Sequence, residues 1–303
     1  MGETGLSTLE DYFGAGTPKG VCLIDMSSVA VSAAKAQSAM TGEDITDIKF
    51  LRHLILNSIL SNRKRFKGAY PELILAFDGK GNWRKEKYPF YKAHRQSNRN
   101  ADSFDWSAFF TAYETIKSEL RSVFPFKMIE IDGVEADDII GVIASTVQTP
   151  VLIHAKDSDF NQCCRYPNVQ IYSPFKKAIV LDENAEHNLF VKICKGEVGD
   201  GIPNILSPTN SFTDKIRQKA MTSSKIAKFK LDGIGDADIA ARFEQNRELI
   251  DFQFIPQIVK DRILEAYATP TKLPDKAAIF AYLTQKELSQ ISSTFLSDLD
   301  LLT

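Results

Sequence analysis

Short apolar runs alternate with segments whose apolar residues recur at helical spacing. Gly20-Val-Cys-Leu-Ile-Asp25 and Leu73-Ile-Leu-Ala-Phe-Asp78 are continuous apolar runs that end in an acid. Phe126-Lys-Met-Ile-Glu-Ile131 and Pro150-Val-Leu-Ile-His-Ala155 are two more, followed by Glu135 and Asp157. Between them, residues 45–66 place Ile48, Leu51, Ile55 and Ile59 at helical spacing, and residues 109–124 and 135–147 read as further helices. Two shorter strands are expected near 169–172 and 178–181. Unbroken apolar strands joined by long helical connections predict an α/β fold, a mostly parallel sheet with helices on both faces. From about residue 184 the strand signals stop. The pattern therefore divides the chain into a tail at 1–19, an α/β domain at 20–183 and a smaller all-helical domain at 184–303.

In parallel sheets of this kind ligands bind beyond the carboxyl ends of the strands. Asp25, Asp78, Glu135 and Asp157 all stand at such ends, so they are expected to meet in one crevice. One strand-end acid is an ordinary turn or cap residue, but four in series form a constellation. Glu135-Ala-Asp137-Asp138 and Asp157-Ser-Asp159 thicken it. Carboxylates packed this densely repel one another unless a cation sits among them. No matching His or Cys set accompanies them, which favours hard Mg²⁺ or Mn²⁺ over Zn²⁺. Seven to nine acids exceed the needs of one ion, and suit two ions ~4 Å apart acting on a phosphodiester. His154 is expected to be a core histidine. The four cysteines lack CxxC spacing and read as reduced core thiols.

The net charge of −2 looks wrong for a nucleic-acid binder until it is mapped. Residues 80–99 hold seven Lys or Arg against the single acid Glu86, and 215–230 hold six and no acid. In the first block cations interleave with aromatics, Trp83-Arg84-Lys-Glu-Lys87-Tyr88-Pro-Phe-Tyr91-Lys92-Ala-His-Arg95. Cations there can neutralise phosphates and rings can stack on unpaired bases. Lys87 and Tyr91 are expected to face nucleic acid, with Lys215, Arg217, Lys219, Lys225 and Lys228 contacting duplex. A contact from Lys92 or Arg95 to a scissile phosphate would stabilise transition-state charge. Trp83 is expected to pack on the sheet. In the tail, Leu6, Leu9, Tyr12 and Phe13 have helical spacing between acids. They resemble short peptides that dock on sliding clamps, and equally fit a tail docked on its own domain. No membrane-length apolar run and no signal peptide is read, so a cytoplasmic protein is expected.

Asp78, Arg84 and Pro89-Phe-Tyr91-Lys92-Ala-His-Arg95, followed by the E-A-D-D motif at 135–138 and by Asp157-Ser-Asp159-Phe160, resemble the signatures of the 5′ nuclease (flap endonuclease, PIN-like) family. Their order and spacing come nearest to its phage ribonuclease H members. The resemblance implies that Asp25, Asp78, Glu135, Asp137 and Asp157 hold a first Mg²⁺. By the same resemblance Asp159, Glu197 and Asp200 hold a second, Asp138 is an outer-shell acid, and Arg84, Lys92 and Arg95 are catalytic phosphate-side cations. It also implies 5′→3′ removal of RNA or DNA from duplexes and cutting of 5′ flaps. That activity fits RNA primer removal in phage DNA replication, in the host cytoplasm. A monomer working with a sliding clamp and a single-strand-binding protein is expected. Two departures stand out: Glu197 replaces an Asp and Gly201 an Asn in the G-D-x-x-D-N element. Gly233-Ile-Gly235 comes more than thirty residues after Asp200, so it is either a displaced form of the family's DNA-clamping hairpin or, the reading favoured, a loop before the last helices. Two rivals are a haloacid-dehalogenase-like phosphatase and a non-catalytic accessory protein that binds branched DNA and a clamp. The first lacks its second Asp, since Met26-Ser27 follow Asp25, and the second leaves the acid cluster without a use.

Overall fold

The computed structural model describes residues 19–41, 48–95, 99 and 104–292. The clamp-like stretch with Leu6, Leu9, Tyr12 and Phe13 lies outside them. Six strands, β1 (Val21–Asp25), β2 (Glu72–Phe77), β3 (Lys127–Glu130), β4 (Val151–His154), β5 (Val169–Ser173) and β6 (Ala178–Val180), form one sheet in the order β3-β2-β1-β4-β5-β6. All pairs are parallel except the edge hairpin β5–β6. The expected α/β sheet is therefore present, with β1 at its centre.

Alternation along the strands feeds two separate cores, as a sheet covered on both faces requires. Cys22, Ile24, Leu73, Leu75, Phe77 and Leu152 face α1 (Met26–Thr41), α2 (Ile48–Phe66) and α4 (Trp106–Val123). Val21, Leu23, Ile74, Ala76, Val151 and Ile153 face α5 (Ala136–Thr146) and the 3₁₀ turn at Ser158–Arg165. The short α3 (Trp83–Lys87) starts at Asn82, whose side chain caps the Arg84 N–H. Helix α1 has no counterpart among the expected elements. Its buried positions Met26, Ala30 and Ala34 have helical spacing, but Ala and Ser give little apolar contrast.

Beyond residue 184 come α6 (Ala185–Lys195), α7 (Ser223–Asp232), α8 (Ala237–Ile250), α9 (Gln257–Ala268) and α10 (Lys276–Gln285). Helices α6, α7 and α8 share a cluster around Cys194, Ile205 and Ile226, while the last two helices pack on the α/β part. Val259 and Ile263 of α9 join the α5 core, and Ile279, Tyr282 and Leu283 of α10 join the α4 core. A third cluster joins Tyr88 and Tyr91 to Leu189, Ile193, Leu249 and Ile250, tying the basic block to α6 and α8. Gly233 ends α7 with φ +79°, and Gly235 lies in the loop before α8. Among the described residues no helix is long and apolar enough to cross a membrane.

Candidate active site

Parallel register brings the strand ends level. Asp25 pairs with Ala76, Ile24 with His154, and Phe77 with Glu130. The residues just beyond therefore open into one cleft of about 790 Å³, lined among others by Asp25, Asp78, Glu135, Asp137, Asp157, Asp159 and Asp200. Local bonds aim several of them. Asp78 accepts from the Ala136 N–H at the start of α5 (2.9 Å) and from Ser27 Oγ (2.6 Å). Asp25 accepts from the Ser28 N–H (3.1 Å), and Asp157 caps its turn through the Asp159 N–H (2.9 Å). A side chain at Gly79 would run into the Ile131 carbonyl, so only glycine lets the chain turn away from Asp78.

The acids fall into two electrostatic groups. Asp25, Asp78, Asp137 and Asp157 form no ion pair with a described residue. Burial pushes the Asp25 carboxyl up to about 7, aided by repulsion from Asp78 and Asp157. Burial, and then the charge of Asp25, also raises Asp137. The other acids are already paired. Glu135 binds Lys92 (2.5 Å) and Arg84 (3.2 Å). These two outweigh its burial and hold its carboxyl near 2. Asp200 binds Arg95 (2.8 Å) and Lys92 (3.6 Å). Asp159 and Glu197 share Lys192.

An oxygen-only donor set carrying uncompensated negative charge fits a hard divalent cation. No three acidic, imidazole or thiol groups among the described residues stand in a ready-made coordinating cage. An ion here would be taken up with side-chain adjustment or through retained waters.

Some expected site residues lie elsewhere. Arg84 is 3% exposed, is absent from the cleft lining and donates from Nε to the Leu249 carbonyl (2.8 Å). Its guanidinium grips Asp138 (2.7 Å), so it is a buried structural cation rather than a phosphate contact. Asp138 is fully buried, accepts from Trp83 Nε1 (2.9 Å) and the Glu135 N–H (3.1 Å), and organises the start of α5 from behind the cleft. Tyr91 is buried as well, its hydroxyl 2.9 Å from both Glu135 and Asp200. It therefore cannot stack on a base. The aromatics of the basic block pack inward because Trp83, Tyr88 and Tyr91 each complete an apolar cluster. Lys92 and Arg95 do line the cleft. Lys87 is on the surface, paired with Glu248 (2.7 Å). Lys215, Arg217, Lys219, Lys225 and Lys228 are exposed. His154 is buried against Tyr172, and all four cysteines are free.

Sequence reasoning missed Ser27, Arg99, Trp106, Phe110 and Lys156, which line the same cleft, and Lys192 behind it. Arg99 lies over the rings of Trp106 (5.3 Å) and Phe110 (5.1 Å), forming a cationic and aromatic patch in the cleft lining. The i, i+4 spacing of Trp106 and Phe110 was the available signal.

Comparison with known proteins now bears on this geometry. Residues 20–191 match the family described as 5′-3′ exonuclease, N-terminal resolvase-like domain, which is more than half of the chain. The chain belongs to the 5′-3′ exonuclease family. Residues 183–297 match a second family, the C-terminal part of phage T4 RNase H. A protein of Enterobacteria phage T4 named ribonuclease H is 30% identical over 301 residues, covering 94% of this chain and 96% of its own length. The bacteriophage T5 flap endonuclease, solved with DNA and metal ions, superposes with a TM-score of 0.56 at 18% identity over 83% of this chain and all of its own. The T5 5′-exonuclease with bound zinc gives 0.56 at 16% identity, covering 82% of this chain and 97% of its own. These two likenesses show the fold. The expected 5′ nuclease fold and family are thus both present, and the protein is a nuclease.

Proposed function

We propose that this nuclease is a divalent-metal-dependent 5′→3′ exonuclease and flap endonuclease. It would hydrolyse RNA in RNA·DNA duplexes and DNA in duplex or flapped ends, and so remove RNA primers in phage DNA replication. The observation that carries the reading is the unpaired set Asp25, Asp78, Asp137 and Asp157 in one cleft that Lys92, Arg95, Arg99 and Lys156 also line. Asp25, Asp78, Glu135, Asp137 and Asp157 would hold one Mg²⁺, and Asp159, Glu197 and Asp200 a second, with Mn²⁺ able to substitute. Bound there, the ions supply a water of lowered pKa and offset charge on the leaving oxygen of the phosphodiester.

The chain's own residues bind and orient the strand. Lys92 sits where its ammonium bridges Glu135 and Asp200, and can exchange one of these acids for the scissile phosphate. Arg95 Nε donates to the Gly199 carbonyl (2.9 Å), which fixes its guanidinium at the cleft edge. Arg99, Trp106 and Phe110 offer charge and ring faces to the strand in the same cleft. The exposed cations at 215–230 are placed to follow duplex phosphates. A sliding clamp reached through Leu6, Leu9, Tyr12 and Phe13, and a single-strand-binding protein, are the proposed partners of a monomer in the host cytoplasm. The T4 and T5 proteins support the reading through what their names say of them.

The test is a 5′-flapped duplex with an RNA segment, labelled at the 3′ end of the flap strand. Mg²⁺-dependent shortening is expected, absent in EDTA. Asp157→Asn is expected to abolish cleavage while leaving substrate affinity within about threefold, since it removes a cleft acid and no phosphate contact. Tight binding without cutting under any divalent ion would refute the reading in favour of an accessory protein.

A further inference from the structure

The two carboxylate sets differ in one respect that motif reading does not reveal. Four acids of the first set, Asp25, Asp78, Asp137 and Asp157, form no ion pair with a described residue and only Glu135 is paired, whereas every acid of the second set already carries a cation of the protein. Arg95 and Lys92 serve Asp200. A single ammonium, that of Lys192, serves both Asp159 and Glu197. It lies against Asp159 Oδ1 and 3.1 Å from Glu197 Oε2. The placement is built in. Lys192 stands on α6 next to Ile193 and Cys194, which are buried in the clusters joining α6 to α8 and α7, and Leu189 is buried one turn earlier. Its side chain is only 18% exposed. Glu197 is held too: its Oε1 accepts from the Gly199 N–H (3.2 Å), which leaves Oε2 toward Lys192.

We propose that Lys192 is a resident counter-cation of the second carboxylate set, which a divalent ion must displace from Asp159 and Glu197 before it can seat there. The inference rests on the metal reading above and adds an order to it. The first set, whose Asp25, Asp78, Asp137 and Asp157 have no ion pair to break, fills first. The second fills only when an ion outcompetes a covalently tethered ammonium at a very high effective concentration. Lys192 is thus a positioning residue for metal loading, and acts through Asp159 and Glu197 rather than on the reacting atoms.

The test is Mn²⁺ titration of the full chain, without substrate, by calorimetry and by the electron paramagnetic resonance of free Mn²⁺. Wild type is expected to show one tight and one weak site. Lys192→Met keeps the aliphatic stem and removes the charge. It should tighten the weak site by on the order of tenfold, with the tight site unchanged. Lys192→Arg should return the wild-type split. Thermal unfolding in EDTA checks that each variant is folded, and Lys192→Gln replaces the Met variant if that chain is not. A folded Lys192→Met or Lys192→Gln protein whose weak site is unchanged or weaker overturns the proposal and leaves the metal reading standing. Absence of any Mn²⁺ site in wild type overturns both.

Discussion

Asp25→Asn separates what the cleft costs the fold from what it does. Asp25 is 8% exposed and faces Asp78 and Asp157 with no described cation between them. Burial and then those charges lift its carboxyl from 3.8 to about 7. At about 1.4 kcal/mol for each tenfold, that difference is on the order of 4 kcal/mol once Asp25 is ionised in the folded chain. The group shares its repulsion with neighbouring acids, so removing one charge recovers roughly half, about 2 kcal/mol. The unfolding entropy of a 303-residue chain is about 0.6 kcal/mol/K, so the gain is about 3 °C in melting temperature. The sign follows from linkage. The folded-state value lies above the unfolded one, so the penalty is absent below about 3.8 and complete above about 7. Thermal unfolding in EDTA should therefore find Asp25→Asn more stable than wild type at pH 8. The advantage should shrink as pH falls from 7 toward 4. Added Mg²⁺ should stabilise wild type more than the variant, and the variant should not cut. An Asn variant no more stable than wild type at pH 8 in EDTA would refute the argument, because the carboxylates would then not be a store of repulsion.

Arg84→Met leaves the fully buried Asp138 without its charge partner, at a cost of about 3–5 kcal/mol. A fall of about 5–8 °C in melting temperature is expected, and a change under 1 °C would return Arg84 to the list of substrate contacts. Lys92→Ala should lower single-turnover cleavage by on the order of 100-fold while equilibrium binding changes little, since the contact belongs to the transition state. Equal turnover with weaker binding would make Lys92 a phosphate anchor. On the acid side, Glu135 is held near 2 because Lys92 and Arg84 outweigh its burial. Glu119 and Glu130 are lowered because Arg52, and Arg121 with Lys117, outweigh theirs. These depressed values add stability that is present above about 4.5 and lost as pH falls toward 2. Melting temperature should drop steeply over that window, and Lys92→Ala should flatten the part that belongs to Glu135.

What the sequence determined by itself is local or periodic. Unbroken apolar runs gave the strands, and their acid ends placed Asp25, Asp78, Glu135 and Asp157 on one edge. Strand ends in a parallel sheet share a side whatever packs around them. Burial of His154 was legible for the same reason, since it lies in an apolar run. Only the tertiary structure decided which cation meets which acid. Arg84 with Asp138, Lys92 with Asp200 and Lys192 with Asp159 join residues 33 to 108 positions apart, and no local pattern encodes such pairs. It also turned Tyr88 and Tyr91 inward, because α6 and α8 offer an apolar surface that pairs with theirs. Helix α1 stayed hidden because its Ala and Ser positions carry little periodic contrast, and the sheet beneath it supplies the burial. Charge type and spacing are thus written along the chain, whereas neutralisation depends on distance in space, and distance is set only when the cores close.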